Sequence, residues 1–156
     1  MILVSSCLTG EPCRMDGKSK PVPGIVRLYQ EGRAVRVCPE VLGGLSIPRT
    51  PCERLGVRVL TATGEDRTAE YTQGARAALA ICHAHACSCA ILKSKSPSCG
   101  IGCIHSGLFD GQLVPGNGIF GEMLLACGVP ACTESDDWES MISTYDIPQP
   151  GDPGSD

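Results

Sequence analysis

The 156-residue chain is 42% apolar and 19% charged, carries a formal charge of −4 and contains 11 cysteines. These figures exclude a disordered chain and suit one domain with one core. There is no basic footprint for a nucleic-acid polymer and no apolar stretch of bilayer length, so neither a polymer of nucleotides nor a membrane is expected as a partner; a single base or nucleotide is not excluded.

The opening MILVSSC has no basic segment and no long apolar core of a signal peptide. It reads as a strand over 2–6, and the odd cysteine count adds to the expectation of a reducing, cytoplasmic location. A helix is expected over 25–30, a strand over 34–37 and another over 57–61. The clearest helix spans 68–86, where Tyr71, Ala75, Ala78, Leu79, Cys82 and Ala86 fall on one stripe. An apolar strand follows at 89–92, and Asp110-Gly111 between apolar runs signals a hairpin. A helix over 119–126 stops at Gly128, and a fifth strand is expected at 130–133. Most of these strands are continuous apolar or β-branched runs, the pattern of burial on both faces. Their alternation with helices predicts an α/β three-layer sandwich with a mostly parallel sheet of about five strands. One domain is assigned to 1–146, and the proline- and glycine-rich 147–156 reads as a disordered tail.

In an open α/β sheet, ligands collect beyond the carboxyl ends of the strands. Three cysteines fall there: Cys7 after the first strand, Cys38 after the second and Cys99 in the loop after the fourth. Each sits beside glycine, proline or serine, residues that shape exposed loops. Three thiolates converging on one edge make a metal site, and ligation by cysteine alone suits zinc or an iron–sulfur cluster. The plainer alternative, loop cysteines with no common purpose, stands beside it. Cys13 is the nearest competitor as a ligand. Cys82 lies on a helical apolar stripe and Cys127 and Cys132 flank a helix end and a strand, so burial accounts for them.

Two other patterns invite a functional reading and fail it. In CHAHACSC, His83 and His85 point about 200° apart on a helix, so they do not share an ion. GNGIFG, residues 116–121, has the glycine spacing of a dinucleotide fingerprint. That fingerprint belongs after the first strand of a βαβ unit, whereas this copy follows a hairpin late in the chain. A glycine-rich helix entry is the expected role.

Taken together, SSCLTGEPCRMDG, CPEVLGGLSIPRTPCE and LKSKSPSCG resemble the thiouracil desulfidase family, in that order and over most of residues 1–134. The resemblance implies a 4Fe–4S cluster held by Cys7, Cys38 and Cys99, the trio that strand-end position selects, with one iron left open. It implies removal of sulfur from 2-thiouracil or a related thiolated base, with sulfide as product. It also implies a catalytic carboxylate at Glu40 and a catalytic serine at Ser96 or Ser98. One departure is Met15, where members commonly carry tyrosine.

The chemistry gives each residue a task. An open iron would bind and polarise a soft thiocarbonyl, and Glu40 would serve as base or acid for the added water. Ser96 and Ser98 could bond the base or the cluster sulfurs, or simply form a turn. Asp16 and Arg49 are expected at the edge of the bound base, with a structural ion pair as the plain alternative. Lys93 and Lys95 would raise the local potential, or merely form a solvated face. Two further classes remain at this stage: a closed structural zinc site, and a binder or sensor of thiolated molecules without turnover.

Overall fold

The computed structural model describes residues 1–147; the remainder of the expected tail, from 148 onward, lies outside the described residues. Strand β1 (Ile2–Ser5) lies at the heart of the sheet, paired in parallel with β2 (Ala34–Val37) on one side and β5 (Cys89–Leu92) on the other. Strand β8 (Ala131–Thr133) extends the sheet beyond β5, giving the order β2-β1-β5-β8. All pairings in this sheet are parallel.

Alternate side chains of these strands enter two separate cores, as the two-residue period of a strand requires. Ile2, Val4, Cys89 and Ile91 pack with Ile25 and Leu28 of helix α1 (Pro23–Gln30) and with Ile142 of helix α5 (Trp138–Tyr145). Leu3, Val37, Ala90 and Leu92 pack with Ala75, Ala78 and Cys82 of helix α3 (Thr68–Ala84) and with Phe120 and Leu124 of helix α4 (Ile119–Ala126). The three layers are thus helix, sheet and helix.

The expected strand at 57–61 is real but belongs elsewhere. It is β4 (Arg58–Thr61), paired antiparallel with β3 (Cys52–Leu55) in a two-stranded ribbon outside the main sheet, which therefore has four strands. Its exposed-then-buried alternation, from fully buried Val59 to exposed Arg58, fits a ribbon with one covered face. The hairpin signalled by Asp110-Gly111 is β6 (Cys103–His105) with β7 (Leu113–Pro115), joined by a longer loop than the two residues suggest.

Helix α2 (Pro39–Leu42), a single turn, crosses α3 at unusual proximity. A Cβ on Gly74 would stand 1.8 Å from the Pro39 carbonyl oxygen, and one on Gly43 would stand 2.0 Å from that of Glu70. Only glycine at both positions permits this approach, and it brings the side chains of Glu40 and Tyr71 together.

Candidate active site

The sheet changes winding direction at β1, since the chain leaves it first toward β2 and later arrives at β5 on its other side. A crevice opens at the carboxyl end of such a switch point. Here it is widened by Ser5, whose Oγ accepts the Lys93 backbone N–H at 2.9 Å and occupies the place of a continuing ladder bond. The crevice forms a cleft of about 310 Å³ lined by Cys7, Cys13, Cys38 and Cys99, together with Glu40, Arg49, Tyr71, Lys93 and Ser96.

Each of the three strand-end cysteines reaches this cleft from a different turn. Cys7 lies in a tight 3-10 turn (Ser6–Thr9) directly after β1. Cys38 is the residue between β2 and α2, in extended conformation before Pro39 starts the helix. Cys99 sits in the 94–100 loop after β5, where Ser96 Oγ accepts the N–H groups of both Ser98 and Cys99 at 3.0 Å. That loop also caps α4: the carbonyls of Pro97, Ser98 and Gly100 accept the N–H groups of Ile119, Phe120, Gly121 and Gly118. The GNGIFG segment is therefore a helix entry, and its work is to pin the Cys99 loop.

The thiols perturb one another. Burial, reinforced by the charge of Cys38, pushes Cys7 up to about 12. Burial likewise raises Cys99, against a hydrogen bond from Ser5 that favours its thiolate. Cys38 moves the other way, down to about 7, chiefly through its pairing with the Cys13 thiol, which is raised in turn; the Cys38 thiol also donates to the Cys13 carbonyl at 3.9 Å. Crowded buried thiols resist ionisation in isolation, and a cationic metal centre reverses that balance. Among the described residues, no three His, Cys, Asp or Glu side chains stand close enough to share a single metal ion. Thiols set around one cleft are the soft donors that a centre of several irons takes.

Glu40 is the best-held carboxylate of the cleft. Its Oε1 accepts the Tyr71 hydroxyl at 2.5 Å and Arg49 Nε at 3.3 Å. Both bonds fall on one oxygen, which leaves Oε2 without a protein donor among the described residues. Arg49 is itself almost enclosed, with Nη2 on the Cys13 carbonyl at 2.9 Å and Nη1 on the Ser46 carbonyl at 3.2 Å. Burial works against its charge, but Glu40 outweighs burial and holds the guanidinium above its ordinary pKa. Arg49 thus braces Glu40 and the Cys13 loop, with each of its nitrogens already on a protein acceptor. For Tyr71, burial first and the Glu40 carboxylate second push the phenol pKa up, so it remains a donor.

Two expected site residues are not brought to the cleft. Asp16 is outside its lining; its carboxylate accepts the Lys18 backbone N–H at 2.9 Å in a local turn and stands 3.8 Å from Arg14 Nη1. Ser98 is fully buried, its Oγ has no hydrogen-bond partner, and it too is absent from the lining. Tyr71, which periodicity assigns to the apolar stripe of its helix, completes the wall beside Glu40, and Lys93, expected to raise the local potential, lines it too. Lys93 makes a 3.1 Å ion pair with Glu134, whose carboxylate also accepts the Ser94 N–H at 2.7 Å. Spacing along the chain carries no signal for such pairs, because their partners lie in different elements.

The 2-thiouracil desulfurase family model matches residues 2–136. The uncharacterized protein YbbK of Bacillus subtilis (strain 168) is 40% identical over 146 residues, spanning 87% of this chain and 97% of YbbK. The fold is similar to that of the 4Fe–4S-dependent thiouracil desulfidase TudS, with a TM-score of 0.87 and 43% identity over 92% of this chain and 96% of that one.

Proposed function

The chain belongs to the 2-thiouracil desulfurase family, and from that premise we propose that it hydrolyses the C=S bond of a thiolated base such as 2-thiouracil, giving the oxo base and sulfide. The observation that carries this reading is the meeting of Cys7, Cys38 and Cys99 in one cleft beside a braced carboxylate. These three cysteines would hold a 4Fe–4S cluster. Held by three thiolates, such a cluster supplies one iron without a protein ligand, a soft Lewis acid suited to taking and polarising a thiocarbonyl sulfur.

The protein's own groups do the rest. Glu40 Oε2 takes a proton from the water that adds to the thiocarbonyl carbon, while Tyr71 and Arg49 keep the carboxylate aimed through Oε1. Ser96 Oγ already accepts two backbone N–H groups, so its own proton is available to the bound base or the departing sulfur. Lys93, near enough to Cys7 to favour its thiolate, keeps positive charge beside the anionic sulfurs. One water enters and hydrogen sulfide leaves, so no electrons are exchanged with an outside carrier. Ser96 is thus the serine of this mechanism, and Ser98 contributes through its carbonyl to the capping of α4.

Anaerobically purified protein should carry iron and acid-labile sulfide, and should convert 2-thiouracil to uracil with stoichiometric sulfide. Glu40→Gln should keep the iron and slow turnover roughly 10²- to 10⁴-fold, the usual worth of a general base. Stoichiometric zinc without iron would favour the structural site, and tight binding without products would favour a sensor; either result refutes the proposal.

A further inference from the structure

The cleft has an outer wall that the reaction above does not use. The loop between β6 and β7 brings Phe109 to it. Of the phenylalanine, tyrosine and tryptophan side chains among the described residues, Tyr71 and Phe109 line the cleft, as does the imidazole of His105. Tyr71 is 1% exposed and its hydroxyl is committed to Glu40. Phe109 is 37% exposed, so part of its ring is open to a partner.

The backbone that presents this ring is held against its own preference. Phe109 has φ +54°, a region that bulky residues rarely occupy. Only three non-glycine residues among those described have positive φ, and the other at this cleft is Lys95, at φ +65°. Ser106 and Asp110 hold the loop from within, Ser106 accepting the Leu108 N–H and Asp110 that of Gln112, and Glu53 ties it to β3. Its Oε1 accepts the N–H of Gly107 at 3.0 Å and that of Phe109 at 3.1 Å. Between them the chain lies flat on β3: a Cβ on Gly107 would stand 2.7 Å from the Arg54 carbonyl oxygen and 2.8 Å from Leu55 Cβ. A glutamate that spends one oxygen on two loop amides, and a phenylalanine held in a strained conformation at the cleft mouth, together need a reason.

We propose that Phe109 is a specificity-determining residue that stacks on the planar ring of the thiolated base, and that Glu53 is the positioning residue that holds it there. This rests on the desulfidase reading. A thiocarbonyl group alone does not distinguish a heterocycle from a small thioamide, since both offer the same soft sulfur. An aromatic face does distinguish them, because stacking rewards only the planar ring, whatever its substituents.

Steady-state sulfide release is measured on the cluster-loaded enzyme with 2-thiouracil and with thioacetamide, which has the C=S group and no ring. Phe109→Leu should raise KM for 2-thiouracil about tenfold, the size of a partly exposed stacking contact, and leave kcat within about twofold. Its KM for thioacetamide, or its weak rate at fixed concentration, should be unchanged. Phe109→Gly relieves the positive φ and should melt no lower than wild type, yet lose 2-thiouracil affinity to a similar degree. Phe109→Tyr should restore wild-type KM. Glu53→Ala should reproduce the Phe109→Leu rise in KM. Glu53→Gln keeps a carbonyl oxygen for the two amides and should behave as wild type, which a proton-transfer role for Glu53 would not allow. Wild-type turnover with KM unmoved in the Phe109 variants overturns this assignment and leaves the desulfidase reading standing. An equal loss on both compounds also overturns it, in favour of a structural loop. Absence of sulfide from the wild-type enzyme on both compounds overturns the desulfidase reading itself.

Discussion

Gly74 offers a test in which two physical effects have opposite signs. In the middle of a helix, replacing glycine by alanine ordinarily gains up to about 1 kcal/mol. Here the added Cβ would lie 1.8 Å from the Pro39 carbonyl oxygen and 2.9 Å from the Gly43 nitrogen. Ordinary contact begins at 3.4 Å, and both obstacles are backbone atoms that no rotamer change can move. Helices α2 and α3 must therefore part by more than an ångström. Overpacking of this kind costs about 3 kcal/mol, so about 2 kcal/mol of destabilisation survives the propensity gain. For a domain of this size, Gly74→Ala should lower Tm by roughly 4–8 °C in calorimetry. Because α2 carries Glu40 and α3 carries Tyr71, the same displacement stretches their hydrogen bond, and sulfide release should fall about tenfold or more. Gly44→Ala is the control: Gly44 has φ +94° with open space around it, so it should cost about 1–2 kcal/mol in backbone strain and leave the rate of the folded enzyme intact. A Gly74→Ala protein that melts at or above wild type and turns over normally would refute the close-approach argument.

Alanine at Cys7, Cys38 or Cys99 should each abolish bound iron and the visible absorbance of the cluster, whereas Cys82→Ala, in the α3 core, should keep both and lose about 1 kcal/mol of stability. Retention of full iron by any of the first three removes that residue from the ligand set. Tyr71→Phe keeps the ring but not the donor to Glu40 Oε1; iron content should be unchanged while turnover drops about tenfold or more, and an unchanged rate would show that Arg49 alone aims the carboxylate. Asp146 accepts bonds from Ser88 Oγ at 2.7 Å, the Met1 amino group at 3.0 Å and Arg33 Nη2 at 3.4 Å. Burial opposes its charge, but these partners prevail and hold the carboxyl below the ordinary carboxylate range. A depressed folded pKa gives stabilisation that is full above the unfolded value near 4 and lost as pH falls through the folded value. Asp146→Asn should therefore cost about 1 kcal/mol in urea denaturation at pH 7 after allowance for screening, with the gap to wild type closing as pH falls below the ordinary carboxylate range; a gap that persists in acid would assign the effect to packing.

The central strands were legible because burial on both faces leaves its mark in sequence: all four residues of β5 are buried, and all four of β1. Pattern alone did not say which sheet a strand joins. The largely apolar run at 57–61 suits a parallel sheet, but Gly56-Val57 is a glycine-first two-residue turn, with Gly56 at φ +62°, of the kind that joins antiparallel strands. Helix α5 also had its signal, an Asp137 side chain accepting the Ser140 N–H ahead of Ile142 on the buried face. The site divides the same way. Cysteines at strand ends were visible because topology fixes where strand ends meet. Tyr71 was not, because helical periodicity reports that its ring is buried and says nothing of what its hydroxyl touches. Ser96 and Ser98 could not be separated by spacing. They separate in space because the Ser96 Oγ turns back onto the loop amides, while the Ser98 Oγ faces the interior.

The segments around Cys99 and around Gly118 show why a site of this kind uses backbone more than side chains for precision. A Cβ on Gly118 would stand 2.3 Å from the Ser98 carbonyl oxygen, and one on Gly121 would stand 2.5 Å from that of Gly100. The loop carrying Cys99 therefore lies directly on the first turn of α4, where its carbonyls satisfy amides that a helix start leaves free. The Ser96 hydroxyl satisfies two amides of the loop itself. Every one of these bonds fixes main chain, so the position of the Cys99 sulfur is set before its own side chain makes any contact. Cys7 and Cys38 are placed by comparable means, a 3-10 turn and a proline-started helical turn directly beyond paired strands. Backbone thus places three sulfurs at the ends of β1, β2 and β5, two of them, Cys7 and Cys38, against the same core. Glu40, Ser96 and Phe109, which also line the cleft, come from elements other than the strands of the sheet, so their side chains can change without moving the strand ends that place the sulfurs.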